Sequence, residues 1–429
     1  MIASVGSVLR SSRALASSVL GPYRLLAGVP HAPGLMAANL LARLYVPAIN
    51  LVLTFLVADW TGAYAAGGAL AAAMTVGMAV AGPLRGRTAD RVAPAKVLVV
   101  TGALFATGLV VIALLARGLL PARWWWLALP VAFLTGLAGP PLPQVGRAVW
   151  TRIEDPGARR AAFAVEATLG ELVFVLGPVL AASAVALAGP FAAALGCAGW
   201  AALGPWGFAA VLHRAGVRAG AGAAGGSGGG ALLVVPGFAR IVCFGGLMVG
   251  ALIAIDLLLV GWARNLGRPE LAGVLSAVWA LGSLGGGLVL GAAPGRPNLR
   301  RRAVAAAVGM GALVPVLPPL AEPGSPLVVG VVLVVGGAAV APMLAAVNSW
   351  LGELAPEHRR TEAFGWLAAA TTGGSALASP LAGSLLDAAG PAAAAGASTC
   401  LACLAVCLLA HPQQEGSRSK RSAAHTRGP

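Results

Sequence analysis

Four ionisable side chains stand inside apolar runs of this sequence: Arg43, Glu166, Glu171 and Asp256. At the centre of a bilayer each would cost about 2.5–3.5 kcal/mol on insertion scales, so each is expected to face a partner or a water-filled cavity. A buried acid of this kind is a candidate proton carrier. Asn39, Arg43, Asn50 and Thr54 are spaced by 4, 7 and 4, which puts them on one stripe of a helix. We read the stripe as the lining of a cavity; the alternative is a stripe that glues helices together. Glu166 and Glu171 are five apart and point about 140° away from each other, so they cannot share a neighbour. Glu166 lies at a depth close to that of Arg43 and is its expected partner. Glu171, deeper and unpaired, is then the expected proton carrier. A competing arrangement pairs Glu171 with Arg43 and gives the proton to Asp256. Asp256 sits about two-thirds of the way through its run; the alternative there is an interfacial acid close to Arg264.

No catalytic constellation accompanies these residues. Neither lysine, Lys96 or Lys420, stands in a phosphate-binding G-x-x-x-x-G-K-[ST]. His31, His213, His358, His411 and His425 fall in loops, tails or the ends of runs, and neither H-E-x-x-H nor G-x-S-x-G occurs. Cys400, Cys403 and Cys407 share one helix face, but no His or carboxylate joins them and they read as small apolar residues. An enzyme, a metal site, a cofactor and a disulfide framework are therefore not expected.

The elements that must position the four charges are membrane spans. The chain is 58% hydrophobic and 10% charged, with mean hydropathy +0.86, against about 25% charged residues in soluble domains. Its net charge of +15 does not point to nucleic acid, because the basic residues are dealt out in small groups between apolar runs. Twelve runs are long enough to cross a bilayer, at about 36–57, 62–84, 97–116, 125–145, 160–188, 190–212, 237–261, 270–291, 303–320, 326–348, 361–387 and 391–410. We call them spans one to twelve. Residues 215–231 are almost entirely Gly, Ala and Ser and read as a linker. The expected organisation is an N-terminal tail (1–34), a six-helix bundle (35–212), a linker (213–235), a second six-helix bundle (236–411) and a basic tail (412–429). The Arg- and Ser-containing start also resembles a transit peptide; a tail is the preferred reading. With both termini cytoplasmic, 24 of the 29 basic residues fall inside, Arg117, Arg123, Arg264 and Arg268 fall outside, and Arg43 lies within span one. That is the register the positive-inside rule selects.

Between spans two and three lies Gly86-Arg87-Thr88-Ala89-Asp90-Arg91, with Lys96 beyond it. The G-x-x-x-D-R pattern resembles the signature loop of the major facilitator superfamily of transporters, with Ala93 and Pro94 where the family usually has a glycine and a basic residue. The chain also repeats. Gly62, Gly68, Gly77, Gly82 and Gly86 recur 205 residues later as Gly267, Gly273, Gly282, Gly287 and Gly291. Trp150, Pro156, Arg159 and Arg160 recur 200 residues later as Trp350, Pro356, Arg359 and Arg360. Two parallel halves joined by a linker again resemble that superfamily, over about residues 35–411. Gly177-Pro178 in span five is similar to the glycine-rich motif of its proton-coupled drug exporters, with Ala181 and Ala182 in place of a glycine pair. Those exporters often carry a buried arginine in span four, where this chain offers only Arg147 at the inner end.

The resemblance implies an all-α, twelve-helix, pseudo-symmetric secondary transporter in a plasma membrane, monomeric, handling a small solute and protons in a lipid bilayer. It implies that Gly86, Asp90 and Arg91 serve gating, with Asp90 accepting N–H groups at the start of span eleven, near Thr361. Export of a small, partly apolar compound is the favoured direction. The alternatives are an uptake permease and a non-transporting sensor or scaffold of the same fold.

Overall fold

The computed structural model describes residues 21–217, 232–268, 270–290, 298–322 and 324–409. Among them every regular element is helical. Nine helices there are long and apolar enough to cross a membrane. Two of the nine, Pro156–Arg214 and Glu357–Leu408, have 59 and 52 residues. At about 1.5 Å per residue each is far longer than a bilayer of about 30 Å. Each breaks once, at Gly189 (φ 80°, ψ 163°) and at Gly390 (φ 83°, ψ −179°). Only glycine takes that backbone readily, and Pro190 and Pro391 follow as first residues of the next helix. These two therefore supply spans five and six, and eleven and twelve. Leu299–Gly311, too short to be counted among the nine, is continued by a 3-10 turn, Val314–Val316, and forms span nine. The sum is twelve crossings in two sets of six.

Several boundaries differ from the sequence reading. Span one starts earlier, as Ala32–Arg43 followed by Tyr45–Thr61, with a step at Leu44. Residues 21–28, read as tail, form a helix, and Tyr23 donates its hydroxyl to Leu288 O at 2.7 Å. Most of the linker (218–231), the span eight–nine loop at 291–297 and the basic tail lie outside the described residues.

The glycine repeat is a repeat of packing. A Cβ at Gly77 in span two would strike the backbone of Phe133 and Gly136 in span four; a Cβ at Gly282 in span eight would strike Val334 in span ten. Gly108 meets Thr135 and Gly309 meets Gly336, spans three on four and nine on ten. Small residues let helix backbones approach closely where the hydrophobic effect gives no drive for helices to associate.

Candidate functional site

Three groups of residues stand out, and the first is a buried charge cluster wholly within the first half. Arg43 Nη1 lies 2.6 Å from Glu166 Oε1, and both side chains are buried. Span four adds two more groups: Arg147 Nε at 3.7 Å from Oε1, and Trp150 Nε1 donating to Oε2 at 3.1 Å. Asn39 Nδ2 also donates to Oε2, at 3.4 Å. The partner expected from depth is thus the partner seen. Arg147, placed one helix turn before Trp150, was not assigned to it. Two guanidiniums around one carboxylate leave the cluster with one surplus positive charge.

The span-one stripe is buried at one end and exposed at the other. Asn39 and Arg43 are buried, Asn50 is exposed, and Thr54 offers its backbone to Gly67 in span two while its hydroxyl bonds Asn50 O. Gly177 and Pro178 hold a close contact: a Cβ at Gly177 would strike Pro47 of span one. Pro178 lies inside the helix, and span five stays helical through it until Gly189.

The second group is a seam between the halves at the end that carries the basic loops. A Cβ at Gly82 would stand 3.0 Å from Gly365 O, and one at Gly86 would strike Thr361 and Glu362. Span eleven starts with no side-chain cap of its own. Its free N–H groups are taken from across the seam: Asp90 Oδ1 accepts from Thr361 N at 3.0 Å and Oδ2 from Glu362 N at 2.8 Å. Orphan donors at a helix start, together with the helix dipole, favour an acid there. Arg87 Nη2 donates to Glu362 Oε1 at 2.8 Å, and Arg359 grips the same carboxylate from its own side. Arg91 is exposed at the end of span two. A parallel contact sets Gly287 of span eight against Thr168 of span five.

The third group is a cavity of about 310 Å³. Span five contributes Glu171 and Phe174, span seven Asp256, and span eight Ser276, Trp279 and Ser283. It therefore lies between the two halves. Glu171 and Asp256, from opposite halves, face the same space. The cavity-lining face of span eight was not assigned from the sequence. Its signal was Ser276, Trp279 and Ser283 at i, i+3 and i+7, one face of an apolar helix.

Residues 241–428 match the family model of the Major Facilitator Superfamily. A bacterial homologue of the iron transporter ferroportin, in an outward-facing state, superposes with TM-score 0.72 at 15% identity, over 89% of this chain and 98% of that one. The chain has the major facilitator superfamily fold. The sequence match to the family model covers less than half of the chain, all of it in the second half and the tail. A proton:xylose symporter bound to 6-bromo-6-deoxy-D-glucose gives TM-score 0.67 at 15% identity, covering 92% of this chain and 95% of that one. A human organic anion transporter gives 0.63 at 19%, covering 87% and 97%. No curated protein matches the chain in sequence. At these identities the structural neighbours speak for the fold, and within the superfamily fold the seam joins spans two and eleven.

Proposed function

We propose that the protein is a secondary transporter, moving a small solute by rocking one six-helix half against the other. The observation that carries this reading is the cavity: it lies between the halves and takes one acid from each. At the basic end, both the charged contacts and the glycine contacts of the seam cross from one half to the other, as an access-controlling closure requires. We read the basic end as cytoplasmic, both termini as cytoplasmic, the membrane as the plasma membrane and the protein as a monomer.

Export of a small, partly apolar compound in exchange for protons is the direction favoured. The glycine contact at Gly177-Pro178 and a cavity wall that is apolar apart from its acids and serines support a drug-efflux-like branch. Glu171 is the proposed proton carrier, because its half already satisfies Glu166. The test is a flux screen in proteoliposomes with and without a pH gradient. Proton-coupled export requires solute movement that depends on the gradient, and Glu171→Gln should fold normally and lose that dependence. Import down a proton gradient would make the protein an uptake permease, and no flux of any solute would leave a sensor or scaffold. Sidedness is checked with single cysteines in a cysteine-free background: Arg214→Cys should be labelled from inside only, and Arg268→Cys from outside only.

A further inference from the structure

We infer that the cavity between the halves binds an organic monocation, a compact amine or quaternary ammonium with an apolar body; this rests on the transporter reading and names its substrate class. Glu171 and Asp256 line the cavity from opposite halves, and neither makes an ion pair or hydrogen bond among the described residues. No arginine, lysine or histidine is among the residues lining the cavity. The ionisable groups lining the space are thus two acids, so any charge it carries is negative, and low-dielectric walls make such a space concentrate cations. Arg43 and Arg147 of the first half gather at Glu166 and do not line the cavity.

The walls decide which cation. Leu252, Val260, Ala280 and Val340 line the cavity together with the rings of Phe174 and Trp279. Aromatic faces attract cations that shed their water easily, above all alkylammonium groups. A strongly hydrated divalent ion would need several oxygen or nitrogen ligands in place of that shell. No cluster of three or more His, Cys, Asp or Glu side chains suited to a metal exists among the described residues. A further observation marks the space as a ligand site. Ser283 is 2% exposed, lines the cavity, and its Oγ has no hydrogen-bond partner. A buried hydroxyl is normally paired, and here a polar group on the bound molecule, or water carried with it, would supply the partner. The volume of about 310 Å³ sits at the lower end of the range for small-molecule pockets, about 300–1,000 Å³. It suits a single ring with a charged head.

Phenyltrimethylammonium is the probe, because its charge does not titrate. Equilibrium binding is measured on purified protein in nanodiscs, with tert-butylbenzene as neutral isostere, 4-tert-butylbenzoate as anion and Mn²⁺ as divalent competitor. The expected result is saturable binding of the cation, with none of the other three displacing it. Asp256→Asn and Glu171→Gln, monodisperse by size exclusion, should each weaken binding at least tenfold. Trp279→Leu should weaken it more than Trp279→Phe. Equal binding of the neutral isostere, unchanged affinity in both carboxamide variants, or carboxylate-dependent displacement by Mn²⁺ would each overturn the inference. Flux separates it from the transporter reading. Transport of neutral or anionic solutes without cation binding removes the substrate class and leaves the transporter. Cation binding with no flux of any solute removes the transporter and leaves the site.

Discussion

Spans five and eleven follow equivalent segments of the repeat and are secured in opposite ways. Asp155 precedes span five and Ala355 stands 200 residues on, each followed by proline. The two backbones agree, with φ −65° and ψ 120° at Asp155 against φ −74° and ψ 133° at Ala355. Asp155 caps its own helix by accepting from Ala158 N at 2.6 Å. After Ala355 comes a 3-10 turn, Glu357–Arg359, and only then span eleven, whose N-cap Arg359 offers no side-chain cap, so its first-turn N–H groups are taken by Asp90 in the other half. The first buried acid of each helix follows suit. Glu166 is held by Arg43 and Arg147 of its own half, whereas Glu362 is gripped in part by Arg87 across the seam. The loop that would face span five, Gly291 to Pro297, contains no acid. Span five is thus complete in any arrangement of the halves. Span eleven is complete only when they meet at the basic end.

The largest effect is expected where span five is made permanent. Arg43→Ala should strand a buried carboxylate and cost about 3–5 kcal/mol, at the lower end because Arg147 remains. Thermal unfolding in detergent measures it, and adding Glu166→Ala should recover part of the loss. Rescue by Glu171→Ala instead would show that the pairing is wrong. Next comes the borrowed cap. Asp90→Asn weakens two charge-assisted bonds, each worth about 1.5–3 kcal/mol, and should cut transport about tenfold or more while solute affinity stays within a few fold. A large loss of affinity at an intact seam would count against a gating role.

A smaller effect sharpens the contrast. Arg359 is the N-cap residue of span eleven, so Arg359→Ser offers that helix a cap of its own, which should compete with Asp90 for the first-turn N–H groups, loosen the seam and slow transport by roughly two- to fivefold. Spin-label distances between positions 88 and 358, both exposed, should broaden toward longer values, and Arg359→Leu, which loses the Glu362 contact without offering a cap, serves as the control. Least of all, Asp155→Ala should cost about 1 kcal/mol of stability and leave transport within about twofold. Transport as damaged as in Asp90→Asn would mean that the two helix starts do not differ in the way described.

Much of this was legible in the sequence, for definable reasons. Hydropathy and the spacing of Gly and Trp give the spans and the repeat. Depth along a helix gives Arg43 and Glu166, because residues at like depth in adjacent spans can meet. The resemblance of the signature loop points Asp90 at Thr361. What escaped was rotation. Periodicity says that Ser276, Trp279 and Ser283 share a face but not which neighbour that face meets. Arg147 escaped because a charge at a helix end reads as solvated until the chain beyond it is seen to fold back.

The seam combines two kinds of contact with very different reach. At Gly82 and Gly365 backbone meets backbone, and nothing there can swivel to follow a departing partner. Dispersion of that kind loses a quarter to a half of its strength within about 0.5–1 Å. Arg87, 44% exposed on its side chain, is a long arm that can stay on Glu362 after the backbones part. Opening would then run as a snap followed by a leash: an abrupt first movement, then a tethered interval in which the halves are apart but still aligned for return.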